Sequence, residues 1–197
     1  MKLRIKISPR NSKLGKIPNI STIPVKDCGN CDSCMTDCYA LKAWKQYPPV
    51  RAAWKQNSQM FRKHMQAAFN DIETYFNSKR TLPRFFRIHV AGDFLNQEHV
   101  NGYAEIARKF PAIKFLAFTK MHDLDYSNLP DNLQIIASMW SGLDYPPNVK
   151  NMRKAWVQDG TETRIPDDAI ECPGICDDCG MCWSLDSIGR DVYFLAH

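Results

Sequence analysis

Eight cysteines, set four and four, carry the most specific chemistry in this chain. Cys28, Cys31, Cys34 and Cys38 form one quartet, with gaps of two, two and three residues. Cys172, Cys176, Cys179 and Cys182 form the other, with the same gaps in reverse order. No cysteine lies elsewhere, whereas a disulfide framework scatters its cysteines along the chain. Thiolates two residues apart meet around one metal centre, because a tight turn brings both sulfurs to the same side. Metal binding is therefore the first expectation.

The identity of the metal follows from spacing. Structural zinc takes paired Cys-x2-Cys ligands from two separate knuckles. Three successive short gaps instead resemble the ferredoxin run Cys-x2-Cys-x2-Cys-x3-Cys, which serves [4Fe–4S] clusters. That run ends in Cys-Pro; here Tyr39 follows Cys38, and it is Cys172 that precedes a proline, Pro173. The expected cofactor is one [4Fe–4S] cluster or two, with zinc as the alternative. The stretch Cys172-x3-Cys176-x2-Cys179 also has the spacing of radical S-adenosylmethionine enzymes. In that family the motif follows the first strand of a barrel and leaves one iron open; here it lies near the C-terminus, so this is the minority alternative.

Three other residues are candidates for catalysis beside a cluster. His89 and Asp93 lie four apart at the end of a β-rich run, spaced as a general acid/base pair. A core imidazole and a helix N-cap are the competing readings. Lys120 ends an apolar strand, where a lysine faces a pocket or snorkels to water; there it would bind an anionic substrate or tune the cluster. Arg51 and Asn57 are further polar candidates, and Tyr39, Trp140 and Trp183 are placed to shield a cluster. No Walker-type phosphate loop and no Gly-x-Gly-x-x-Gly occurs, so nucleotide binding has no motif behind it.

The elements that position these residues are legible in outline. Residues 1–8 read as a short strand and 9–27 as extended loop. From Val50 to Phe76 the seam Trp54, Phe61, Met65, Phe69, Ile72, Phe76 steps at helical spacing, and Pro48-Pro49 ends anything helical before it. Three units then follow: 85–91 with a helix over 98–110, 113–118 ending at Thr119-Lys120, and 133–139 ending at Trp140. Their length and spacing predict βα units on a parallel sheet, with 192–195 as a last strand. The expected fold is α/β: a partial (βα) barrel or a small parallel sheet with helices, closed by the two cysteine-rich segments around a metal cluster. Residues 1–197 read as a single α/β domain with cysteine segments 28–38 and 172–182. Function in such folds sits at the carboxyl ends of the strands.

Composition bounds the rest. With 44% hydrophobic and 24% charged residues the chain is of globular type. No apolar run reaches the roughly 20 residues of a membrane span, and the start lacks a signal peptide's apolar core. A cytoplasmic setting is expected. Seven basic residues precede the first acid, Asp27, while the tail from Asp159 to Asp178 is acidic. A quartet of thiolates on a 2+ centre carries −2, so two such sites take the chain's +5 to +1. That weighs against nucleic acid as partner and suggests that the basic arm pairs with the acidic tail. Oligomeric state has no signal in the sequence.

At Cys34-Met-Thr-Asp-Cys38-Tyr39-Ala40, Arg87-Ile-His89-Val-Ala-Gly92-Asp93-Phe94, Phe118-Thr119-Lys120 and Cys179-Gly-Met-Cys182-Trp183 the sequence resembles the phage gene product 88 family. The resemblance implies a phage origin, a small α/β fold related to partial barrels, and a cysteine-bound cluster. Cys28, Cys31, Cys172 and Cys176 exceed the pattern it carries, which points to one cluster shared by Cys34, Cys38, Cys179 and Cys182 as an arrangement beside two separate ones. Two function classes follow. One is a non-redox, Lewis-acid iron–sulfur enzyme working on a small molecule, for ester or thioester hydrolysis or sulfur handling, with His89, Asp93 and Lys120 nearby. The other is a structural or electron-transfer iron–sulfur or zinc protein acting as a host- or nucleic-acid-binding module.

Overall fold

The computed structural model describes residues 3–29, 34–35, 38–142, 144 and 147–196. Cys31 and the first two residues of the expected N-terminal strand lie outside that set. Six strands form the sheet: β1 (Phe85–Arg87), β2 (Lys114–Thr119), β3 (Leu133–Met139), β4 (Lys154–Gln158), β5 (Ile170–Glu171) and β6 (Val192–Leu195). Their order is β1-β2-β3-β4-β6-β5, every pair is parallel, and the sheet curls into a half-barrel. The expected α/β architecture is thus present, and β4 and β5 add to the strands read from sequence.

Both faces of the sheet are buried, which is why its strands read as near-continuous apolar runs. Alternation sorts their side chains. Phe86, Ile88, Phe115, Ala117, Leu133 and Ile135 pack under the helices, in one cluster with Phe61, Phe69, Ile72, Phe76 and Tyr103. Leu116, Ile136, Ala155 and Val192 face the other way, onto Leu14, Ile17, Trp183 and Leu185. The helices therefore cover one face, and the two chain ends cover the other.

The helical seam runs as predicted through Phe61, Phe69, Ile72 and Phe76, but as two helices, α2 (Pro48–Lys63) and α3 (Met65–Asn77), interrupted at His64. Pro48 and Pro49 open α2 after α1 (Tyr39–Gln46) has ended; at a helix start a missing N–H costs nothing. The fourth helix, α4 (Gln97–Lys109), is capped by Asn96, whose side chain accepts the His99 amide at 3.0 Å. Among the described residues no helix is long and apolar enough to cross a membrane.

Residues 3–7 do not form the expected strand, because side chains of the helices take up their backbone groups. The Lys6 amide donates to Asn57 Oδ1 at 2.7 Å, and its carbonyl accepts from Asn57 Nδ2 at 2.9 Å. The Ile5 amide donates to Asp71. Asn57 thus acts as a strand's worth of partners on the side of a helix. Residues 18–22 do run as an extended segment parallel to β1. Arg87 donates to the Pro18 carbonyl, Ile20 to Arg87, Val90 to Ile20 and Thr22 to Ala91.

Candidate metal centre

The C-terminal quartet begins where β5 ends. The Cys172 amide donates to the Tyr193 carbonyl at 2.9 Å, continuing the β5–β6 register by one residue. The chain then leaves the sheet edge and crosses the face opposite the helices. On the way the Cys176 amide donates to the Lys13 carbonyl, and Asp177 accepts the Lys16 amide at 3.0 Å. The basic arm therefore does meet the acidic tail, through backbone groups. A short helix α5 (Cys176–Cys179) is stopped by Gly180 at φ +60, and a 3-10 turn over Met181–Ser184 follows. The segment is pinned at its far end by Trp183, whose indole donates to the Phe86 carbonyl at 3.2 Å, and by Lys114 on Ser184.

This crossing brings Cys172, Cys176 and Cys182 onto one apolar floor with Phe85, Val90, Phe118, Met181 and Phe194. Cys179 alone of the four is exposed. All described cysteines are free thiols. Burial pushes the Cys182 thiol up to about 12 and also raises Cys176; Arg87 works against both shifts. A thiolate in such a place needs a cation beside it, whether a metal or a fixed side chain.

Arg87 supplies one such charge. Its side chain leaves β1 on the cysteine face, only 9% exposed, with the guanidinium 4.1 Å from the centre of the Phe118 ring. It forms no ion pair with any Asp or Glu among the described residues, and its Nε has no hydrogen-bond partner there. Burial pulls its pKa down, while Tyr39, Cys182, Cys176 and Asp93 hold it up. Lys13 adds a second charge, 4.9 Å over the Phe194 ring, which meets Phe118 edge to face. A buried guanidinium without an ion pair costs several kcal/mol, so Arg87 marks a place for negative charge, whereas Lys13 is exposed and solvated.

The N-terminal quartet follows the carboxyl end of the 18–22 segment. Asp27 closes that loop: it accepts the Ile23 amide and pairs with Arg62 at 2.7 Å. Tyr39, directly after Cys38, has an exposed ring but turns its hydroxyl inward to donate to the Val90 carbonyl. Burial of that end raises its pKa, and its charged neighbours are Arg87, Cys38, Cys28 and Cys34. Cys182 feels the charges of Arg87, Cys172, Cys176 and Cys179, and Tyr39 those of Arg87, Cys38, Cys28 and Cys34, so that Arg87 acts electrostatically on both sets.

Whether such residues fit a metal group depends on donor chemistry. Among the described residues no three His, Cys, Asp or Glu side chains form a group that could hold a single metal ion. A four-iron cluster takes one thiolate per iron and so draws on ligands set farther apart than those of one ion. An all-thiol donor set on an apolar floor beside a buried guanidinium is the kind of chemistry that would hold an iron–sulfur group.

The predicted acid/base residues are placed otherwise. Alternation along β1 should send His89 to the same face as Arg87. Instead His89 takes φ +48, a left-handed bulge that turns it to the helix side among Phe61, Phe94, His99 and Tyr103. Burial drops its pKa to about 3, so it is neutral. Asp93 accepts from Phe94 N, Thr119 Oγ1 and Lys120 N, each at 2.7 Å, and so ties the loop after β1 to the end of β2. Burial outweighs those bonds and raises its pKa to about 6. The Lys120 ammonium lies 5.2 Å over Trp140, at the carboxyl ends of β2 and β3. Arg51 reaches the Trp44 carbonyl near the end of α1, which with the bonds of Asn57 accounts for both extra candidates. Arg87 is the residue that sequence reasoning passed over. Its signal is plain in retrospect: a lone charge inside Phe85-Phe86-Arg87-Ile88.

A family model described as gene product 88 matches residues 5–185. The chain is 26% identical over 181 residues to the gene 88 protein of Mycobacterium phage D29, covering 76% of this chain and 74% of that protein. It is 25% identical over 180 residues to the gene 88 protein of Mycobacterium phage L5, with the same coverage. No solved structure matches it.

Proposed function

The chain belongs to the phage gene product 88 family, and from that premise we propose that it is an iron–sulfur protein with a [4Fe–4S] cluster seated on the C-terminal quartet. The observation that carries this reading is Arg87, a buried guanidinium with no carboxylate partner among the described residues, placed beside Cys176 and Cys182. Four thiolates on a 2+ cluster leave a charge of −2, which Arg87 and Lys13 balance. Neutral thiols would leave the buried Arg87 uncompensated, whereas the exposed Lys13 is solvated in either case.

Cys172, Cys176 and Cys182 would anchor the cluster on the apolar floor, and Cys179, at the solvent edge, would be the ligand that exchanges. A cluster with an exchangeable ligand acts as a Lewis acid, suited to ester, thioester or sulfur-bearing small molecules. Of the other candidates, Lys120, expected to bind an anionic substrate or tune the cluster, stands at the end of β2 with its ammonium over Trp140. The reading is therefore of a non-redox enzyme whose substrate approaches from the side of Cys179.

Anaerobic purification with iron and sulfide analysis tests it. The expected result is iron and acid-labile sulfide in equal amounts, ~4 of each per cluster. Stoichiometric zinc without sulfide would overturn the reading. Arg87→Met should lose most of the iron and Arg87→Lys retain more; Cys182→Ala should lose the cluster while Cys179→Ala keeps it. Full iron in Arg87→Met would remove the observation on which the proposal stands.

A second reading has one observation in its favour. Residues 18–22 run parallel along β1, so the N-terminal quartet follows the outermost parallel segment, where radical S-adenosylmethionine enzymes carry their cluster. Its gaps depart from the Cys-x3-Cys-x2-Cys order of that family. Cleavage of S-adenosylmethionine by the dithionite-reduced protein would favour this reading, and inertness would dismiss it.

A further inference from the structure

Independently of the cysteine chemistry, we infer that the outer surface of α1 and α2, widened by the N-terminal arm, is a binding surface for single-stranded nucleic acid. Between Asp37 and Asp71 the sequence holds Lys42, Lys45, Arg51, Lys55, Arg62 and Lys63, and no acid. These residues lie on α1 and α2, which are held together by Trp44 stacked on Trp54, 6.3 Å between ring centres. Tertiary structure brings further cations. Leu3, Ile5 and Ile7 pack on the core beneath the helices, and the alternate residues Arg4 and Lys6 are exposed. Gln56 donates to the Arg4 carbonyl, and Asn57 holds both backbone groups of Lys6, which fixes the arm along α2.

Sorting of charge, rather than net charge, carries the inference. A solvated helix face ordinarily mixes signs, as α4 does: Glu98 and Glu105 share it with Arg108 and Lys109, and Lys109 pairs with Glu73 of α3 at 2.6 Å. Around α2 and the arm the acids are Asp27, buried and paired with Arg62 at 2.7 Å, and Asp71, which accepts the Ile5 amide at 2.9 Å. Arg51 is engaged with the carbonyls of Trp44 and Lys45 near the end of α1. Arg4, Lys6, Lys42, Lys45, Lys55 and Lys63 remain, all exposed and none in an ion pair among the described residues. The acidic tail does not reach them. Its Asp177 accepts the Lys16 amide, beside Leu14 and Ile17 on the face of the sheet away from the helices. The arm thus meets the tail at residues 13–16 and leaves 4–6 on α2. A charge count over the whole chain averages surfaces that the fold keeps apart.

Aromatic rings on the same surface select among polyanions. Tyr47, at the corner between α1 and α2, is 49% exposed, with Pro48 and Pro49 exposed beside it. Lys55 lies 5.8 Å over the Trp44 ring, so cation and aromatic alternate across the helix pair. Exposed rings set among cations hold single strands without reading sequence: phosphates meet the charges and unstacked bases lie on the rings. A duplex keeps its base faces covered. A lipid surface or an acidic peptide offers no base to lie on Tyr47.

Fluorescence anisotropy of a labelled oligothymidylate and of the matching oligouridylate, titrated with the full chain, tests the surface. With six cations on phosphates, affinity should fall roughly 300-fold between about 50 and 200 mM salt, each contact on a single strand adding ~0.7 to the slope. Lys6→Gln, Lys45→Gln and Lys55→Gln should each weaken binding and flatten that slope. Tyr47→Ala should weaken binding about tenfold and leave the slope as it is. The Tm of each variant, all at exposed positions, reports that it is folded. Lys150→Gln, at an exposed lysine before β4, should bind as the wild type does. A loss there equal to that of Lys55→Gln would mean that net charge alone acts, and would overturn the inference. Tighter binding to a duplex of the same length, equal binding to phosphatidylserine vesicles, or no binding at ~50 mM salt would overturn it as well.

Discussion

The side chains that decide this molecule's chemistry are charged or polar groups buried where their surroundings set their state. Arg87 stays cationic because a guanidinium does not lose its proton in a protein, so its environment must adapt to it. His89 and Asp93 adapt in the opposite manner, and this has a consequence in acid. His89 has a folded pKa near 3, below its ordinary 6.5, so its contribution to stability is complete above 6.5 and is lost as pH falls toward 3. His99 is shifted the same way. Asp93, raised to about 6, contributes most below its unfolded value near 3.8 and loses that contribution as pH rises through 6. Between pH 6 and 4 the two effects oppose each other, with the histidines prevailing at the acid end. Urea midpoints measured at pH 7 and pH 4.5 should fall less in His89→Asn than in the wild type, asparagine being tolerant of positive φ. Equal falls would show that His89 does not titrate between the two states.

At the scale of elements, short irregular pieces matter more than the regular ones. Gly180 lets α5 end in the left-handed conformation, and an added Cβ there would meet the Phe85 ring at 2.9 Å. Gly180→Ala should therefore cost about 1–2 kcal/mol and also displace Cys179 and Cys182, so bound iron should drop with the Tm. Asn96→Ala is the control. It removes the cap of α4 for about 1 kcal/mol, far from the cysteines, and should leave the iron content intact. If both variants lose iron in proportion to their Tm, the Gly180 turn has no particular part in metal binding. The bulge at His89 is another such piece. It ends β1 at Arg87, four residues earlier than the apolar run suggested: Ile88 still donates to Leu116 of β2, but Val90 and Ala91 pair with 18–22 instead.

For the whole molecule, the helices cover one face of the half-barrel and the two chain ends cover the other. A cluster held as proposed on the cysteines of the tail would act as a clamp on that second face. Anaerobic removal of iron with a chelator should lower the Tm and open the 172–188 segment to protease before the strands beneath it are cut. A digestion pattern unaffected by chelation would show that packing of Trp183 and Leu185 alone holds the segment down.

The clustering of the cysteines, the parallel βα alternation and the helical seam from Trp54 to Phe76 were all legible in the sequence alone, because each rests on spacing over a few residues. Its motifs also carried the resemblance that the comparisons with phage proteins sustain. Tertiary structure alone decided which side chains meet. Nothing near Arg87 in sequence announces Cys176 and Cys182, which arrive from some ninety residues away by a segment crossing the sheet. Alternation placed His89 beside the cysteines, and a single left-handed residue placed it on the far side. Periodicity is a local property, whereas the face a residue presents after a bulge, and the charge it finds there, depend on the packing of distant segments.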